Sequence, residues 1–382
     1  MQNNLITEKH CDKIFYKECF TIAIPIIIQN FFVSSLNLVD TVMVGQLGET
    51  PIAAVGVSNQ IFFLMNFLLI GISAGCGIFI TQFNGKNDVQ GMRHSLGISL
   101  CLSLVLSSVF LFCGIFIPAQ VVGLFDRSPD FISQTTSYLQ IVCMSYPFVA
   151  ITAAYSNALK NTGKTFYSMV SSTIAILTNI FLNAILIFGL FGFPRLGIRG
   201  AAIATLIARI LETSILLSFV YFKKTIFRTS FKNILSFDKP FFKMLSIPIL
   251  HTVGSEAVWA FGVVAFSIAY GKMGTDSLAV IQIYNVMQNL FSIMIYGVSN
   301  SAMVFVGREL GRGNKENAIY YARKLFKIGV TIAIILSIIM VIAIKYVVVF
   351  FNISAKLKIS AIKTICVVAI PLICFAINTI LI

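Results

Sequence analysis

Charge is what this sequence has least of. Only 11% of its 382 residues are Asp, Glu, Lys or Arg, against about a quarter in a soluble domain, which excludes an ordinary water-facing surface. Acids are the scarcer sign, with 14 Asp and Glu against 28 Lys and Arg. There are three His, and the eight Cys are scattered without a C-x-x-C pair. A zinc site is therefore not indicated, and the cysteines read as small apolar fillers. No G-x-x-x-x-G-K-[ST] segment occurs and no nucleophile–base constellation stands out, so neither ATP hydrolysis nor another enzyme activity is expected. The polar start, MQNNLITEKHCDKIFYKECF, leads into an apolar run without a small-residue cleavage signature. It reads as a retained first helix and not a signal peptide. The alternating ten-residue segments of an outer-membrane barrel are also missing. The net charge of +14 is not arranged as a basic stripe interleaved with exposed aromatics, so no nucleic-acid partner is expected.

What is abundant is apolar sequence: 58% of residues are hydrophobic. Runs of about 20 residues recur, each long enough to cross a hydrocarbon core of roughly 30 Å. Spans in lipid must satisfy their own backbone, hence helices. The fold class is an all-α polytopic membrane protein whose solvent is the lipid bilayer. Ten spans are expected, near Phe20–Val44, Ile52–Phe83, Leu96–Ile117, Phe131–Leu159, Phe166–Phe191, Ile198–Phe222, Met244–Tyr270, Leu278–Val306, Ile328–Val349 and Ile359–Ile382. With the N-terminus in the cytoplasm most Lys and Arg fall in cytoplasmic loops, as the positive-inside rule requires. A multi-pass protein of the plasma (cytoplasmic) membrane follows, and a monomer is expected.

The stretch Asn37–Asp88 returns, displaced by 226 positions. Gly45 matches Gly271, Gly48 matches Gly274, Ala53 matches Ala279 and Asn59 matches Asn285; Gly71 matches Gly297, Ser73 matches Ser299 and Gly85 matches Gly311. One fixed offset implies a duplicated unit. The copies lie six spans apart, an even number, so they are parallel repeats. We expect an amino-terminal lobe over residues 1–222 with six spans, a basic cytoplasmic linker over 223–243, and a carboxy-terminal lobe over 244–382. Pro371 lines up with Pro147, so the second repeat stops before counterparts of the fifth and sixth spans. About ten of twelve spans are present, as in a fragment or a natural truncation.

Asp40 is the leading functional candidate, because an ionised carboxylate inside a membrane costs about 2.5–3.5 kcal/mol or more. It persists if paired, cation-bound or protonated, which are the properties of a coupling site; a structural hydrogen bond to a neighbouring helix is the alternative. Asn179 and Asn183 are four apart on the fifth span, hence on one face, and Thr205 adds a hydroxyl from the sixth. Interhelical amide bonding would also account for the asparagines. Glu256 lies mid-span in the seventh helix, one turn before Trp259. With Pro25 set against Pro248 it falls opposite Val33, so the lobes are chemically unequal. It suits a second cation site, a substrate contact or a buried structural pair. Arg209 and Glu212 are one turn apart and read as a local ion pair. Pro25 is placed to bend the first helix, dynamically or as a static kink.

VDTVMVGQLG closes the first span and NGKND follows the second. NALKNTGKT, NIFLNAILIFG, RGAAIATLIARILE, SEAVWAFG and AYGKMGTDSLAV come later in the same order. Together these segments resemble the multidrug and toxic compound extrusion (MATE) family over essentially the whole chain. The resemblance implies two parallel six-span lobes in a V, a central cavity, and a cation-coupled efflux antiporter. It further implies that Asp40, Asn179, Asn183 and Thr205 form an amino-lobe site for Na+ or H+. Some members carry aspartate where this chain has Asn183, which leaves Asp40 the lone acid among these matched positions. Glu256 resembles the seventh-span acid used for cation coupling in part of the family. No cofactor is expected beyond the coupling ion. Small-molecule organic cations that are amphipathic are the expected substrates, since a carboxylate in a Phe- and Met-rich cavity suits them. Two rivals are a lipid-linked oligosaccharide flippase of related architecture and a truncated, non-transporting remnant.

Overall fold

The computed structural model describes residues 2–123, 125, 128–234, 236–272, 275–347 and 355–381. Helix dominates throughout, as lipid demands. The long helices, in order, are α1 (Gln2–Gly45), α2 (Glu49–Gly85) and α3 (Val89–Phe116). After the short α4 (Pro118–Val122) come α5 (Pro129–Cys143), α6 (Tyr146–Asn161), α7 (Thr165–Phe188) and α8 (Ile198–Phe222). The short α9 (Phe231–Ile234) precedes α10 (Lys239–Lys272), α11 (Thr275–Gly311), α12 (Lys315–Val347) and α13 (Ala355–Leu381).

Among the described residues seven helices are long and apolar enough to span, and α5 with α6, bent by 43°, makes an eighth. The 34-residue α10 and the 27-residue α13 stand at the seventh and tenth expected positions, giving about ten spans in an all-α chain. The break between α5 and α6 falls where Pro147 enters the first turn of α6, a position that proline tolerates better than a helix interior.

Several helices begin earlier than the apolar runs suggested. Polar caps set these starts. Asp88 accepts from Gly91 N at 2.9 Å before α3, Asp238 from Phe241 N at 3.0 Å before α10, and Asn314 from Asn317 N at 3.2 Å before α12. Each satisfies an N–H that a helix start leaves unpaired. Asp88 and Asn314 are themselves 226 positions apart, so the duplicated pattern extends to the cap. At the other end of α7, Gly189 adopts a left-handed φ of 74° and stops the helix short of Phe191.

The chain divides into two compact units, residues 32–260 and residues 1–31 with 261–382. In the first, Val44, Met65, Leu69, Cys143, Tyr146, Ile187 and Ala202 form one buried cluster. Ile80, Leu96, Tyr155, Leu159, Leu216 and Phe227 form another. The start of α10 joins this unit through Leu245 and Ile249, which pack on Ile72, Cys76 and Ile98. Here backbones meet: a Cβ at Gly71 would lie 2.7 Å from Val253 Cα, and one at Gly75 2.6 Å from Ile249 Cα. Glycine is needed at both for this approach. Thr252 Oγ1 donates to the Gly71 carbonyl at 2.7 Å.

In the second unit the start of α1 packs on α11 and α12. Phe15, Cys19, Ile22 and Ile26 are buried with Val298, Ala302, Phe305 and Leu325. Phe15 stacks on Tyr321 with centroids 5.4 Å apart, and Arg308 Nη2 reaches Glu18 Oε2 at 2.9 Å.

Candidate cation-binding cavity

The later part of α1, with α2, α5, α7 and α8, encloses a cavity of about 380 Å³ within the unit of residues 32–260. Asp40, Asn179, Asn183 and Thr205 all line it. Four candidates scattered over 166 positions of sequence therefore share one site. α7 and α8 pair antiparallel across the connection over 189–197, which opens with the left-handed Gly189, and this sets Asn179 beside Thr205.

Asn183 Nδ2 donates to Asp40 Oδ1 at 2.6 Å and to Asn179 Oδ1 at 3.0 Å. Asn179 Nδ2 in turn donates to Thr205 Oγ1 at 3.4 Å. The Asn179 amide fits its surroundings in a second orientation as well. Turned over, its nitrogen lies 3.1 Å from Asp40 Oδ1 and its oxygen accepts from Thr205 N at 3.3 Å. Both asparagines are buried, at 3% and 1% exposure. Asn183 Oδ1 is nonetheless without a hydrogen-bond partner. A buried amide oxygen with no donor is costly, and here it stands in the cluster that holds a carboxylate.

This donor set suits a hard cation. Carboxylate, two amide oxygens and a hydroxyl are the ligands that sodium prefers by the same logic as other hard ions. Alternatively, one proton on Asp40 would turn the carboxylate into a donor. The rest of the wall is mostly apolar, with Phe62, Phe63, Val142 and Ile176 among it, as ligand cavities usually are.

The other candidates lie elsewhere. Glu256 is half-buried on α10, close to Trp259, which packs against Phe67 with centroids 4.8 Å apart; it does not line this cavity. Pro25 sits inside α1 in the unit that holds residues 1–31, fifteen positions before Asp40. Arg209 and Glu212 do form the local pair, Nη1 to Oε2 at 2.8 Å, and both face the cavity.

Sequence reasoning passed over several wall residues. Asn59 and Asn66 on α2, Tyr138 on α5 and Ser172 on α7 all line the site. Asn59 and Asn66 carried a readable signal, since seven residues apart in an apolar helix places two amides on one face. Tyr138 and Ser172 carried none, because their position depends on tertiary packing.

Comparison with known proteins agrees with this architecture. The MatE family model matches residues 25–185 and 248–382, two stretches that each contain one copy of the duplication. A probable multidrug resistance protein NorM of Thermotoga maritima is 28% identical over 345 residues, 84% of this chain and 70% of its own. A probable multidrug resistance protein YoeA of Bacillus subtilis is 26% identical over 360 residues, 90% of this chain and 74% of its own. A crystal structure of a MATE protein in a bent conformation superposes with a TM-score of 0.84 at 20% identity, covering 96% of this chain and 80% of that one. An outward-facing multidrug resistance MATE transporter gives 0.82 at 20% identity, covering 95% and 80%. These structures share the fold, and the matched family model fixes the membership: the chain belongs to the MatE family.

Proposed function

We propose that this chain is a multidrug efflux transporter that works as a cation-coupled antiporter. The observation that carries this reading is the unpartnered oxygen of Asn183 beside Asp40, in a cavity large enough for a small organic molecule. Its relatives include multidrug resistance proteins, which supports the same direction. Asp40, Asn179, Asn183 and Thr205 are assigned to the coupling ion, Na+ or H+. One carboxylate cannot be neutralised twice over in so apolar a site. Arrival of the ion therefore displaces a substrate cation from Asp40, or weakens its hold, and alternating access places the exchange on opposite sides of the membrane. Amphipathic organic cations are the substrates assigned, since they offer apolar area to the Phe-lined wall and a charge to Asp40. Glu256 is assigned a second cation or a substrate contact, and Pro25 the bending of α1. A monomer in the plasma membrane with a cytoplasmic N-terminus, built as lobes over 1–222 and 244–382 joined by a basic linker over 223–243, completes the proposal.

The test is ethidium efflux from proteoliposomes holding the full chain, with sodium and pH gradients imposed separately. Efflux that follows one gradient and disappears in Asp40→Asn is expected and names the ion. Efflux that ignores both gradients, or that survives in Asp40→Asn, would overturn antiport through this site.

A further inference from the structure

Arg209 lies four residues after Thr205, one turn along the same face of α8, and lines the cavity that holds Asp40. Its guanidinium carbon is 6.0 Å from the centre of the Phe62 ring. Nη1 donates to Glu212 Oε2 at 2.8 Å, a single bond and not the two-bond fork that guanidinium offers a carboxylate. The other oxygen of Glu212 accepts from Ser172 Oγ at 2.6 Å. The register explains the arrangement. Seven positions back on α7 and seven forward on α8 convert the Asn179–Thr205 contact into the Ser172–Glu212 contact. Two polar layers thus stand about 10 Å apart along the helices, with Arg209 in between.

The acids among the lining residues are Asp40 and Glu212, and the base is Arg209. Lys160 of α6, outside the lining, also interacts with Glu212; while Arg209 stays on Glu212, the uncompensated charge among the lining residues is that of Asp40. The partners differ in freedom. The Glu212 side chain is 6% exposed and held at both oxygens, whereas that of Arg209 is 32% exposed. The acid is fixed; the base has room to turn.

We propose that Arg209 is a resident rival for Asp40, held off by Glu212 and Ser172, and that this tether sets how tightly Asp40 binds the ion and the substrate cation. The inference rests on the reading of Asp40 as the coupling site. A transport site must bind well enough to load and weakly enough to release. An internal cation in the same cavity, one turn along α8 from Thr205, shortens the life of the bound state without adding a ligand. Arg209 is a positioning residue in this scheme, since it acts through Asp40.

The experiment uses the purified full chain and two readouts: binding of radioactive sodium at alkaline pH, and the protonation midpoint of the carboxyl infrared band that Asp40→Asn removes. Glu212→Gln cuts the tether, and sodium or proton affinity should fall about tenfold, one pH unit for the proton. Adding Arg209→Gln to that variant should restore affinity to within about twofold of the original. A merely structural role for Glu212 would not be rescued by removing its partner. Unchanged affinity in Glu212→Gln, or a double variant as weak as the single, overturns the role of Arg209 and leaves that of Asp40 standing. If Asp40→Asn leaves sodium binding unchanged and removes no titrating carboxyl band, the coupling-site reading fails and this inference with it.

Discussion

In one compact unit Val253 of α10 lies against Gly71 of α2; in the other, Ile27 of α1 lies against Gly297 of α11. Gly71 and Gly297 are 226 positions apart, and so are Ile27 and Val253. The duplication therefore repeats a packing contact with the partners exchanged: each copy of the glycine receives a helix that begins the other copy. By this offset Glu256 falls opposite Asn30; the prolines Pro25 and Pro248, 223 apart, had set it opposite Val33. Neither alignment sets it opposite Asp40. The chemistry was not repeated with the packing. The counterpart of Asp40 is Phe266, 65% exposed. Packing tolerates little change of volume, whereas a buried charge is costly and worth keeping only where it performs a task. The difference is what the proposed coupling role of Asp40 requires: a charge in one copy and none at the matching place in the other.

The largest expected effect tests that asymmetry. If Asp40 carries the proposed coupling, Asp40→Asn should reduce ion-driven efflux by about 100-fold or more. Phe266→Leu at the matching position should leave efflux within about twofold, as for an apolar exchange of similar size. Equal losses in the two variants, measured side by side in proteoliposomes at matched protein levels, would erase the distinction between the copies.

The next effect grades the two seams. At Gly71 an added methyl meets Val253 backbone at 2.7 Å, while at Gly297 it meets the Ile27 side chain at 2.8 and 3.0 Å, with the Ala23 carbonyl at 3.3 Å. A side-chain end can rotate away; a backbone must move as a piece. Gly71→Ala should destabilise by about 1–3 kcal/mol as overpacking does, and Gly297→Ala by less, read as thermal unfolding in detergent. The reverse order would show that the α11 seam is the tighter one.

A smaller effect concerns the ion. Thr205→Ala removes one neutral oxygen from the site and leaves the carboxylate and both amides. Sodium affinity should weaken roughly three- to tenfold, since a hard cation counts its oxygens, while proton binding by Asp40 should hardly change. A loss equal for both ions would place Thr205 outside the ion's ligand shell.

Much of this was legible before any coordinates. Apolar length gave the number of spans, the fixed offset gave the repeat, and the cost of a charge in lipid singled out Asp40. The pairing of Asn179 and Asn183 came from helical spacing, and their meeting with Asp40 and Thr205 from the family resemblance. What was hidden depended on third dimensions. Ser172 is an ordinary serine in a run of small residues until α8 is set against α7, and then it holds Glu212. The exchange of partners at Gly71 and Gly297 could not be read from either copy alone, because each glycine's neighbour lies in the other. Helix starts were missed for a simpler reason: Asp238 and Asn314 cap helices in polar sequence, where apolar runs give no signal.

The smallest expected effect lies where the seams differ in charge. The α1–α11 seam carries the Glu18–Arg308 pair, while the matching positions Met244 and Gln82 hold no charges. If the pair were essential to the packing, the first copy should have needed an equivalent. Glu18 is 45% and Arg308 25% exposed in their side chains, so water screens both. Arg308 also sits over Phe305, 5.1 Å from its centroid, a contact that survives loss of the acid. Glu18→Gln should therefore cost about 0.2–1 kcal/mol, less than Gly297→Ala, and its effect should shrink as salt is raised. A loss above that range, insensitive to salt, would mean that this seam is held by charge where its twin is held by glycine, and that the two copies differ in packing as well as in chemistry.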